Sequence, residues 1–178
     1  MITPSVIEYT VSSSCPTYYK VFTDKSTAEY VDKNLQETQK IYDTLKKYYK
    51  FEEKSIDRKD YQFRSSESFI LDEDGKLHGI EKWSSSTTYD MWDGRPPINN
   101  SSSKKTIGEE FINKYINRIL NNIKDRIKTL EKIKECEDFP DIVDLAKKKI
   151  QEHNDDYRII DDYFNKDFNK YFKELLNI

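Results

Sequence analysis

Polar and apolar positions alternate over residues 5–12, with Ile7, Tyr9 and Val11 on one side, and this period of two predicts a half-buried strand. SSSCP interrupts the pattern, and TYYKVFT at 17–23 predicts a second strand able to pair with the first as a hairpin. The period then changes. Ala28, Val31, Leu35, Thr38, Tyr42, Leu45 and Tyr49 recur at steps of three and four, the stripe of an amphipathic helix that runs to about residue 50. STAE at 26–29 reads as its capping box, with Ser26 as N-cap and Glu29 reaching back. EEKSIDRKD, residues 52–60, is charged and reads as loop. Four short β-like runs follow, YQFR, SFIL, KLHGIEKW and TTYDMW, which predict three or four strands between Tyr61 and Trp92.

GRPPINNSSSKK at 94–105 is dense in residues that interrupt both kinds of element, so it reads as a boundary. Beyond it the pattern is helical. TIGE at 106–109 reads as a second capping box, and Ile112, Ile116, Ile119, Ile123, Ile127, Leu130 and Ile133 mark a helix to about residue 135. Past Leu120 that stripe narrows to a seam suited to one partner helix, as in a coiled coil, from this chain or a second copy. DFPDIVDLAKKKI predicts a third helix with Pro140 in its first turn. A last helix from Asn154 is expected to bury Tyr157, Ile160, Phe164, Phe168, Tyr171 and Leu175. The order predicts an α+β fold: a small antiparallel sheet with one packed helix, then an antiparallel helical hairpin or three-helix layer. Residues 1–96 form the sheet-and-helix body in this reading, 97–105 a linker and 106–178 a helical region, although the whole also fits one continuous domain.

The 178 residues suffice for one domain with a helical appendage. The chain is 35% charged, yet 13 Tyr and 9 Phe set it apart from disordered sequences. With 30 basic and 33 acidic side chains, a formal net charge of -3 argues against nucleic-acid binding through bulk phosphate neutralisation. Lys, Asn, Ile and Tyr, all with A/T-rich codons, are plentiful and point to an AT-rich genome. Cys15 and Cys136 lie too far apart in sequence to suggest a disulfide framework. MITPSVIEYT lacks the features of a secretory signal, and no apolar run is long enough to span a membrane. An intracellular, cytoplasmic location is expected, or a virion-associated one if the source is viral.

The densest chemistry lies in DEDGKLHGIEKWSSSTTYDMWDGRPP, residues 72–97, which holds both tryptophans and three of the four glycines. Aligned as a calcium loop on Gly75, it places Asp72, Asp74 and Glu81 at ligand positions, but Ile70 falls where the first ligand belongs. A hairpin turn in which Asp74-Gly75 supplies positive φ fits better. The cadence DGKLHG resembles the Gly-x-x-His-Gly rhythm of MORN-type β-hairpin repeats, in one copy; the resemblance implies antiparallel hairpins and carries no function with it. Period-two counting puts Lys76, His78, Ile80 and Lys82 on one face, with His78 at its solvent border and Trp83 and Trp92 packed on the sheet's helix. His153, near the end of a helix, is expected to face its dipole.

Four glycines cannot build a phosphate-cradling loop, and no spacing of His, Cys and Asp suggests a metal site, so no cofactor or metal is expected. The residues best suited to binding are His78, Trp83, Tyr89 and Trp92 in the hairpin region, and Lys114, Arg118, Lys128 and Lys132 on the first C-terminal helix. These observations point to a non-enzymatic protein-interaction protein whose partner is another protein, with self-association through the C-terminal helices as a further option. By analogy of size and composition, such chains occur as virion components or inhibitors of host factors encoded by viruses and mobile elements. The alternatives are a small metal- or histidine-dependent enzyme using His78, and a nucleic-acid-binding protein stacking bases on Trp83 and Trp92.

Overall fold

A computed structural model describes residues 4–9, 18–22, 24–90, 92, 94–135 and 138–175, with backbone alone for 9, 18–19 and 166–175. The fold is α+β and comprises two units, Met1–Thr38 with Lys50–Phe111, and Gln39–Tyr49 with Ile112–Ile178. Cys15, Cys136 and Val11 lie outside the described residues, as do the side chains of Tyr9, Phe168, Tyr171 and Leu175.

In the first unit, β1 (Ser5–Tyr9) and β2 (Tyr18–Phe22) pair antiparallel, as the alternation predicts. Helix α1 (Lys25–Leu45) follows, with its first half in this unit. Its N-terminus is capped by Asp24, not Ser26: Asp24 Oδ1 accepts the Thr27 amide at 2.7 Å and the Ser26 hydroxyl at 2.6 Å. Hydrogen bonds from Ser26 and then Thr27 lower the Asp24 carboxyl to about 2. An acid at this position accepts a free helix amide and two neighbouring hydroxyls at once and complements the positive end of the helix dipole, which a serine cannot do as strongly. Phe22, Ala28, Val31 and Leu35 form a buried cluster, flanked by Ile7 and Leu71.

The second sheet has the order β3 (Glu53–Asp57), β4 (Tyr61–Leu71), β5 (Leu77–Thr88), β6 (Ile98–Ile107), all antiparallel. Three expectations are corrected here. The charged stretch read as loop contains β3, which pairs with β4 through Ile56 beside Phe63 and a two-pronged Arg64–Asp57 bridge at 2.9 Å. The four short runs are two long strands, because the intervening serines continue the ladder instead of turning. Most of the supposed linker is strand β6, whose hydroxyl and amide side chains bond across to β5: Ser84 to Ser102 and Thr87 to Asn99, both at 2.8 Å. Composition misled because Ser and Asn stand for turns in a half-buried sheet, whereas this sheet is wet where they occur.

Only the end of the sheet nearest the β4–β5 turn is buried. Ile80 and Thr106 are closed off there, and Phe69 makes edge-on ring contacts with Phe51 and Phe111. Thr106 therefore belongs to a strand and is no helix cap; the chain turns into helix at Gly108, with φ +61°.

The β4–β5 turn is built as predicted around Gly75, with φ +81°. Asp72 Oδ1 accepts the amides of Asp74 and Lys76 at 3.0 and 2.8 Å, folding the loop on its own carboxylate. Helix α1 holds this turn from the other side. Thr38 Oγ1 donates to the Gly75 carbonyl at 2.7 Å, and Asn34 Nδ2 to that of Asp74 at 3.1 Å. Both polar side chains are buried, and each is matched to a carbonyl of the turn.

A short helix α2 (Gly108–Phe111) closes the first unit with Phe111 buried. The second unit opens on a π-helical turn, Ile112–Ile116, leading into α3 (Asn117–Lys134). The stripe read over 107–135 is present, but a π turn separates two α-helical segments instead of one helix running throughout. Ile116, Ile119, Leu120 and Ile123 are buried, while Ile127, Leu130 and Ile133 are half-buried, so the seam narrows as expected. Helix α4 (Pro140–Leu175) is continuous through 154–156, where a break was expected, and packs on α3. Asn and Asp there look like breakers, yet Asp155 accepts from Gln151 one turn back and Asp156 faces inward to partners described below.

Candidate functional site

The hairpin residues singled out from sequence are distributed over the sheet and its connections. His78 has no partner in the β4–β5 ladder, because Leu77 pairs with Leu71 and Gly79 with Ile70. It is the extra residue of a β-bulge, and the bulge breaks the alternation. Leu77, Gly79 and Ile80 are all buried, so the supposed face of Lys76, His78, Ile80 and Lys82 does not exist as one surface. Trp83 sits in a row with Ser66 and Ser103 and is 41% exposed, and Trp92 is 95% exposed, so neither is packed away as expected. Small neighbours on both sides leave the Trp83 ring uncovered. Tyr89 is half-buried, its hydroxyl 3.3 Å from Gln62 Oε1. The Asp72 oxygen that a cation would need already serves the turn. Among the described residues no three His, Cys, Asp or Glu side chains gather as a metal site.

The four basic residues of the first C-terminal helix are exposed but dispersed. Lys114 lies on the π turn and Lys128 is 3.8 Å from Asp125. Arg118 lines an open groove of about 770 Å³ on α3 that His153 of α4 also borders.

That groove borders a connected polar cluster of the second unit. Leu45 ends α1, and Lys47 and Tyr48 follow it in a turn. Tyr48 Oη lies 2.7 Å from Asp156 Oδ2 and 2.7 Å from His153 Nδ1, while Lys47 Nζ is 2.9 and 3.0 Å from the two Asp156 oxygens. Proton counting fixes the roles. The Asp156 carboxylate, paired with Lys47, accepts, so Tyr48 donates to it. With its one proton used, Tyr48 Oη accepts from His153 Nδ1–H, which leaves the lone pair of a neutral imidazole on Nε2. Arg126 caps the cluster, its guanidinium 5.2 Å over the Tyr48 ring and its Nε donating to Asn122 Oδ1 at 2.9 Å.

Electrostatics agree with that assignment. Burial, and then the nearby Arg126, lower the His153 pKa below its ordinary value, with Asp156 opposing. Burial and the hydrogen bond to Asp156 push the Tyr48 phenol up. His153 was expected to face a helix dipole; it lies mid-helix and is bound by side chains instead. Tyr48 and Asp156 were not singled out at all, since nothing in a sequence links residues 108 positions apart.

A pH prediction follows. A histidine whose pKa is depressed on folding binds fewer protons folded than unfolded, so its contribution is present above the unfolded value near 6.5 and is lost as pH falls. The melting temperature should therefore drop between about pH 7 and pH 5, and His153→Gln should flatten that drop. The raised Tyr48 works in the opposite direction, with its contribution lost above about pH 10. An unchanged acid limb in His153→Gln would show that the imidazole is not held neutral.

No family model, curated protein or solved structure matches this chain. Among the described residues no helix is long and apolar enough to cross a membrane.

Proposed function

We propose that this chain is a non-enzymatic protein-interaction protein that takes an extended, acidic segment of its partner onto the open edge of β6. The supporting observation is the exposure of every β6 side chain from Ile98 to Lys105, on a ten-residue strand at the edge of its sheet. Long regular edges invite pairing, and most proteins shorten, bulge or cover them. Lysines can also protect an edge, and Lys104 and Lys105 would serve that purpose if they stood alone. Two features favour recognition: Trp83 is exposed one strand inward beside Ser103, and Trp92 projects from the β5–β6 connection. Exposed tryptophans next to an unpaired edge provide apolar anchors, and backbone hydrogen bonds of an added strand provide affinity. Lys104 and Lys105 form no ion pair among the described residues, so acidic partner side chains complement them.

Hydrogen exchange on the complex with a captured partner tests this reading. Protection is expected over 98–107, and Lys104→Glu with Lys105→Glu should weaken capture by about tenfold or more while the melt is unchanged. Protection elsewhere would overturn it. So would salt-sensitive binding of a single-stranded oligonucleotide that is lost in Trp83→Ala, the mark of base stacking. Protection of β6 in the isolated protein that rises with its own concentration would make the occupant a second copy instead.

A further inference from the structure

We infer that the groove beside His153 is a binding site for a small phosphomonoester that also carries a hydroxyl group. This site lies in the second unit and stands independently of the sheet edge. Three groups bordering the groove are fixed or available before any ligand arrives. Arg126 is held by Asn122 and by the Tyr48 ring, with no hydrogen bond from its terminal nitrogens to the described residues. Arg118 makes neither a hydrogen bond nor an ion pair with them. His153 is pinned through Nδ1 to Tyr48, which in turn donates to Asp156, and its Nε2 makes no hydrogen bond with the described residues. Asn122 and the Tyr48 ring orient Arg126, and Tyr48 orients the imidazole, before any ligand arrives.

The chemistry of these groups specifies the ligand. Arg118 and Arg126 lie two turns apart on α3, and guanidinium forks match phosphate oxygens better than any other side chain does. The facing charges are Asp125, 3.8 Å from Lys128, and Asp156, already matched by Lys47, so the groove favours an anion. Around the imidazole the other charged groups are Glu152 and Lys149 of α4, which pair with each other at 2.6 Å. A neutral Nε2 accepts and cannot donate, so it asks for a hydroxyl on the ligand; Asn121 and Thr129 add neutral polar groups for the same purpose. No Tyr, Phe or Trp lines the groove, and Arg126 covers the near face of the Tyr48 ring, so a base finds no stacking platform there. A hydroxylated phosphate of small size fits these demands better than a nucleotide.

Calorimetric titration of the full chain with glycerol phosphate, and separately with inorganic phosphate, tests the assignment. Glycerol phosphate should bind saturably and more tightly than inorganic phosphate. Arg118→Gln, an exposed position that leaves the fold intact, and Arg126→Gln should each weaken both by about tenfold or more, as expected for loss of a charge-assisted bond. His153→Gln should erase the preference for glycerol phosphate while inorganic phosphate still binds. Absence of saturable binding, or Arg118→Gln binding like wild type, would overturn the site. Equal affinity for the two phosphates in wild type would overturn the role of His153 and reduce the groove to an anion cradle.

Discussion

Gly75→Ala should destabilise the protein by about 2–4 kcal/mol, far more than an ordinary glycine-to-alanine change in a turn. Two penalties combine. The residue sits at φ +81°, where a Cβ is disfavoured, and that Cβ would lie 2.8 Å from Leu35 Cγ and 2.9 Å from Leu35 Cδ2. Leu35 is a buried member of the α1 cluster and has no free space to yield. Urea unfolding checks this, together with a double mutant. Because Leu35→Ala removes the clashing atoms, the Gly75→Ala penalty should shrink in its background to the backbone part alone, about 1 kcal/mol. Simple additivity of the two changes would mean that the turn does not seat on the helix.

Ile123→Asp should cost about 4 kcal/mol or more and disrupt the packing of α3 on α4. Ile123 is 0% exposed, so a carboxylate placed there would be stripped of its water. Ile127, one turn further along the narrowing seam, is half-buried, and Asp at that position can turn toward water. The same substitution there should therefore cost less than half as much. Thermal melts of the two variants decide the matter. Equal losses would mean that the seam is as deeply buried at 127 as at 123.

Much of the fold was legible from spacing. Helix α1 shows its buried stripe in the steps Ala28, Val31, Leu35, Thr38, Tyr42 and Leu45, because a helix repeats its inward face within a few residues. The positive φ of Gly75 and the thinning of the isoleucine seam past Leu120 were equally readable. Both are local properties of neighbouring residues.

Where composition stood in for pairing, it failed. INNSSSKKTI has the residues of a linker, and it is a strand because β5 supplies a ladder of backbone partners and matching hydroxyls. EKSID became β3 for the same reason, through β4 and Arg64. Strand propensity is weak, so a long partner overrides it. At His78 a single bulge residue turned the inferred face over, since a shift of one position sends every later side chain to the opposite side.

The sequence by itself determined the elements whose signal is local: the amphipathic stripes, the β4–β5 turn, and the succession of sheet residues followed by helices. The tertiary structure alone decided which polar residues meet. Tyr48, His153 and Asp156 are an unremarkable tyrosine, histidine and aspartate until the chain brings the turn after α1 against the middle of α4. Hydrogen bonds of this kind act over about 3 Å, whereas sequence periodicity reports only on a residue's own turn or strand, so a site assembled from distant segments leaves no trace in either.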